Sequence, residues 1–135
     1  MIEQTLAIIK PDAVSSLSTG PIIELIERNG FSIKRMEKRK LDKATAERFY
    51  DVHKSKPFFT ELVDFITSGT AVLMILEKER AIADWRELMG ATDPLKAACG
   101  TIRKMFGVNI GKNATHGSDA LSTAEYEIGI IFPEK

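Results

Sequence analysis

At 135 residues and 15.0 kDa the chain has room for one domain, 1–135, whose core buries on the order of two-thirds of the surface the unfolded chain exposes. Nineteen basic residues balance nineteen acidic ones, and a zero net charge argues against nucleic acid as the main partner. One cysteine excludes an intrachain disulfide framework, and the longest apolar run, AVLMIL at 71–76, is too short to span a membrane, so no membrane partner and a cytoplasmic setting are expected.

In chain order, TLAIIK (5–10) reads as the first strand, rich in aliphatic and β-branched residues. Pro21 and the run IIELIERNGF then predict a helix, with proline in its first turn and Gly30 where a C-terminal cap glycine belongs. A second strand is expected from Phe31 towards Leu41. Its KRMEKRK segment (34–40) reads as a charged edge face that discourages pairing with other chains. KATAERFYDVH (43–53) and PFFTELVDFI (57–66) have helical patterns, AVLMILE (71–77) is the third strand, and ERAIADWRELMG (79–90) is a further helix. A short helix near 120–127 and a fourth strand over YEIGIIF (126–132) complete the set.

This order predicts a ferredoxin-like, split βαβ fold of the α+β class: a four-stranded antiparallel sheet with helices packed on one face. Between Gly90 and Ser122 the chain is rich in turn formers, and long connections of that kind tend to carry function.

Several motifs have bland readings. GVNIGKN (107–113) imitates a phosphate loop but has one residue too few between its glycines and no Ser or Thr after its lysine. Cys99 has no partner at metal-ligand spacing and reads as a packed thiol. His53, after a helical run, suits a helix C-terminus and is given no chemistry. His116 is different, because NATHGSD (113–119) surrounds it with small polar residues. A neutral imidazole is a nucleophile towards phosphorus once a carboxylate fixes its tautomer. Phosphoryl transfer also needs cations around the charged oxygens, and Lys10, Arg86 and Arg103 are available.

Six motifs in order, AIIKPDAV, FYDVHKSKPFF (49–59), LVDFITSG (62–69), ELMGATDP (87–94), GTIR (100–103) and NATHGSD with its trailing AEYEI, make the chain closely similar to the nucleoside diphosphate kinases. The resemblance implies Mg²⁺-dependent, ping-pong phosphoryl transfer from a nucleoside triphosphate, typically ATP, to a nucleoside diphosphate, with broad base tolerance. It makes His116 the phosphorylated residue, oriented by Glu127, which Ser118 in turn holds. Lys10 would bond the phosphates and ribose, Arg86, Thr92 and Arg103 would clamp the phosphate chain, and Tyr50 would support it. Asn113 would reach the ribose, and Phe58 would stack on the base. No protein cage for the metal is implied, because the nucleotide's phosphates hold it.

A homo-oligomer is implied as well, with tetramer, hexamer and dimer all open. Thr70 and Asp93 stand where the family commonly has proline and asparagine, and residues 104–112 follow no transferable pattern. The short extension beyond Glu127 suggests a bacterial-type protein. Two rival readings are a catalytically silent nucleotide-binding module, which would lack the histidine or the clamp, and an RNA-binding module, which would want aromatics on its first strand.

Overall fold

A computed structural model describes residues 1–134. Its sheet has the order β2-β3-β1-β4, with every neighbouring pair antiparallel. The strands are β1 (Ile2–Ile9), β2 (Ser32–Arg39), β3 (Ala71–Glu79) and β4 (Thr115–Gly117). The helices are α1 (Pro11–Ser15), α2 (Thr19–Arg28), α3 (Lys43–Phe49), α4 (Phe59–Ile66), α5 (Ala81–Met89), α6 (Ile102–Phe106) and α7 (Leu121–Ile131). Short 3₁₀ turns follow α3 at Asp51–His53 and precede α6 at Pro94–Lys96. Among the described residues no helix is long and apolar enough to cross a membrane.

The expected one-sided sheet is corrected: helices cover both faces. Alternate residues of the central strands feed two separate cores. Ala7, Ile9, Val72, Met74 and Leu76 pack with Ile22 and Ile26 of α2 and Trp85 and Met89 of α5. Leu6, Ile8, Leu73 and Ile75 meet Phe49 of α3, Ile66 of α4 and Ile131 of α7. The uninterrupted apolar runs of β1 and β3 are the sequence consequence of this double covering. β2 is an edge strand, as its charges suggest, with an irregularity between Ile33 and Arg35. There Arg35 lies over the Phe132 ring, 4.5 Å from its centroid, and pairs with Glu134.

YEIGIIF is not a strand. Residues 121–131 form one helix whose buried positions, Ala124, Glu127 and Ile131, fall at spacings of three and four. Isoleucines give the segment strand composition, but Gly129 and Tyr126 are exposed while Glu127 is buried, and that is a helical alternation. The fourth strand is instead Thr115–Gly117, three residues inside the segment read as irregular, pairing Ile8 with His116 on the free edge of β1. Cys99 is exposed rather than packed, because it sits in the turn between Lys96 and Ile102 and not in a core layer.

Candidate active site

β1 ends at Ile9 and the chain turns at Lys10 into α1, with Pro11 at the first helical position fixing the turn. β4 runs alongside, so Lys10 and the 113–116 segment leave the same end of the sheet. There the Lys10 Nζ donates to Asn113 Oδ1 at 2.9 Å, and the Asn113 amide donates to the Thr92 carbonyl at 3.1 Å. Lys10 is 9% exposed. Burial, with Arg103 adding to it, lowers its pKa from 10.5 to about 8, against a smaller opposing pull from Asp12.

His116 Nε2 lies 3.1 Å from Glu127 Oε1, and the Ser118 hydroxyl donates to the same oxygen at 2.7 Å. Ser118 Oγ also accepts the Leu6 N–H at 3.2 Å, which ties the carboxylate to the central strand. An ionised carboxylate can only accept, so its imidazole partner carries hydrogen on Nε2 and keeps the lone pair on Nδ1. Phe49 meets the imidazole edge-on, with ring centroids 5.0 Å apart. Behind the histidine, Trp85 Nε1 donates to the His116 carbonyl at 3.1 Å. Gly117 allows that approach, since a Cβ there would stand 2.3 Å from the Trp85 ring.

Two adjoining cavities of ≈ 490 and ≈ 970 Å³ meet at His116, and Tyr50, His53, Thr92 and Arg103 line both. Arg86 and Glu127 border the smaller one, whereas Lys10, Phe58, Asn113 and Lys112 border the larger. The larger cavity is at the upper end of the range for small-molecule sites. Arg103 is held by the Gly90 and Thr115 carbonyls at 3.0 and 2.9 Å, and burial together with Arg86 lowers its pKa to about 10. Burial, then Glu127, raises the pKa of the Tyr50 hydroxyl. Phe58 is 42% exposed at the start of α4, its ring centroid 5.5 Å from that of His53.

All ten side chains singled out from the sequence therefore border these cavities, except Ser118, which acts on Glu127 from behind. Phe49 and His53 were missed: one reads as a core residue and the other as a helix end, and only the fold turns them towards His116. Lys112, from the segment with no transferable pattern, also faces the larger cavity.

Burial and then the neighbouring Arg103 depress Lys10, burial and then Arg86 depress Arg103, and cations crowded in this way suit an anion. A cationic cavity of nucleotide size around a histidine hydrogen-bonded to a carboxylate, on a ferredoxin-like sheet, has the chemistry that phosphoryl transfer calls for. The nucleoside diphosphate kinase family model matches residues 3–135. A nucleoside diphosphate kinase of Oleidesulfovibrio alaskensis is 52% identical over 98% of this chain and 95% of its own, and one of Chlamydia abortus is 54% identical over 97% and 93%. Among solved structures, the Aquifex aeolicus nucleoside diphosphate kinase superposes with a TM-score of 0.95 at 43% identity, covering 98% of this chain and 96% of the other. The Halobacterium salinarum enzyme, solved in complex with CDP, gives 0.94 at 39% identity, over 98% and 88%. The chain belongs to the nucleoside diphosphate kinase family, and its activity is phosphoryl transfer between nucleotides.

Proposed function

We propose that the transfer runs in two halves through His116. In the first, the Nδ1 lone pair attacks the terminal phosphorus of a nucleoside triphosphate. The bond from phosphorus to the bridging oxygen breaks, and the nucleoside diphosphate leaves with that electron pair. In the second half a terminal oxygen of another nucleoside diphosphate attacks the phosphohistidine, and the P–N bond returns its electrons to the ring. The observation that carries this reading is the His116–Glu127 bond at 3.1 Å, braced by Ser118 at 2.7 Å. It keeps one nitrogen nucleophilic and stabilises the positive charge the ring gains on phosphorylation.

Lys10, Arg86, Arg103, Thr92 and Tyr50 bind and orient the phosphate oxygens, with the arginines as bidentate donors. Asn113 takes the ribose, and Phe58 stacks on the base. A stacked base is poorly discriminated because every base has a π-face, so several nucleobases are accepted. The donors around His116 are cations, amides and hydroxyls, a set that suits phosphate oxygens. The nucleotide's own phosphates would therefore carry Mg²⁺, which would supply charge neutralisation there. The protein works in the cytoplasm as a homo-oligomer.

Initial-rate kinetics test the two-stage scheme. Varying ATP at several fixed concentrations of a second diphosphate gives parallel reciprocal lines if the phosphoryl group stops on the protein. Intersecting lines would mean direct transfer between two bound nucleotides. The silent-module alternative is disfavoured by the same His116–Glu127 pair and by the cations around it.

A further inference from the structure

Ala114, wholly buried and two residues before His116, has φ 77°, a left-handed conformation that strains any side chain with a Cβ. The Thr115 N–H donates back to the Asn113 carbonyl at 2.9 Å and closes a three-residue γ-turn of the rare, strained hand. This turn joins Asn113, bonded to Lys10, to the strand that carries His116. Both backbone groups of the strained residue are tied to one short stretch. Its carbonyl accepts the Lys10 N–H at 2.8 Å, and its N–H donates to Asp12 Oδ2 at 3.1 Å. The remaining Asp12 oxygen, Oδ1, is buried without a hydrogen-bond partner. A carboxylate kept there at a desolvation cost needs a return on that cost elsewhere.

We propose that Asp12 is a positioning residue for phosphoryl transfer: its carboxylate holds Ala114 in the left-handed turn and so sets where Asn113 and His116 stand relative to Lys10. The inference rests on the phosphohistidine reading above. Asp12 touches neither cavity and acts through the backbone of 113–115. The competing role is structural. As the second residue of α1, Asp12 also favours that helix's N-terminus, and loss of that effect alone would lower stability without slowing transfer at saturating nucleotide.

A double-variant cycle separates the two. Asp12→Ala removes the acceptor, and Ala114→Gly removes the steric cost of positive φ without touching either cavity. With radiolabelled ATP and Mg²⁺ at saturation, single-turnover labelling of Asp12→Ala is expected to slow roughly ten- to a hundred-fold, the scale of one strained residue. Ala114→Gly alone should stay within about threefold of wild type, and the double variant should recover most of the loss, since glycine holds the turn unaided. Should Asp12→Ala fold poorly, Asp12→Asn retains an oxygen that accepts the Ala114 N–H and is expected to label within about tenfold of wild type. Wild-type labelling by Asp12→Ala, no recovery in the double variant, or a larger loss in Asp12→Asn would each overturn the inference. A wild-type protein that takes no label would instead overturn the phosphohistidine reading on which it rests.

Discussion

Lys10 and Asn113, 103 residues apart in the chain, are joined by a buried 2.9 Å hydrogen bond across the end of the sheet. That bond makes the lysine part of the His116 environment and keeps it away from solvent. Its pKa of about 8 is set chiefly by burial and secondly by Arg103. A deprotonated amine no longer holds phosphate, so kcat/KM for nucleotide should fall as pH rises through about 8. The pH profile of the wild-type enzyme checks this, and a profile flat to pH 9.5 would contradict it.

The same depression has a thermodynamic sign. Between about pH 8 and the ordinary lysine value of 10.5 the unfolded chain binds more protons than the folded one, so this group's contribution makes stability rise with pH across that window. Below it, the buried charge is a standing destabilisation. Lys10→Met should therefore lose most activity and yet unfold at a higher temperature at pH 7, as paired calorimetry and assay would show.

Gly117 and Trp85 make a prediction about sterics. A Cβ at 117 would lie 2.3 Å from the indole, so Gly117→Ala must displace Trp85 and weaken its bond to the His116 carbonyl. Overpacking of this kind costs about 1–3 kcal/mol. Thermal unfolding should show that loss, accompanied by altered Trp85 fluorescence and a lower kcat; a variant with wild-type melting and emission would show that the strand yields instead.

Glu127→Gln keeps the shape and removes the charge that supports the ring. Transfer should slow by roughly ten- to a hundred-fold, the worth of one hydrogen bond to a charged group, while nucleotide affinity stays close to wild type. Calorimetric titration with ADP distinguishes this from misfolding of the pocket, because a large affinity loss would place Glu127 in binding.

Asp93 caps the turn at Pro94 by accepting the Leu95 N–H at 3.0 Å, beside Thr92 on the cavity wall. Asparagine can make the same cap without the negative charge. Asp93→Asn should bind ADP modestly more tightly at unchanged stability, and equal dissociation constants would remove any electrostatic role for Asp93.

Much of the sheet is legible in the sequence because β1 and β3 are apolar on both faces and β2 alternates with charge. The helix expected near 120–127 runs on to Ile131: its second half reads as a strand because four isoleucine and aromatic residues near its end imitate one, while the buried Glu127 that reveals helical spacing looks like a solvated charge. β4 is three residues long and polar; only the free edge of β1 makes it a strand, and a local pattern cannot register that. The candidate site is legible as residue types in motifs, but its assembly depends on pairings more than 100 residues apart, such as Lys10 with Asn113 and Leu6 with Ser118. Ala114 shows the same limit, since nothing in an alanine's identity announces a left-handed backbone.

In the proposed cycle the phosphoryl group rests on His116 between nucleotides. Incubating the protein with γ-labelled ATP and Mg²⁺, then adding GDP, tests it beside a His116→Ala control. The expected result is an acid-labile, alkali-stable label on the wild type alone, which passes to GDP as GTP. Labelled GTP formed at the wild-type rate by His116→Ala, or a wild type that makes GTP without ever holding the label, would contradict it.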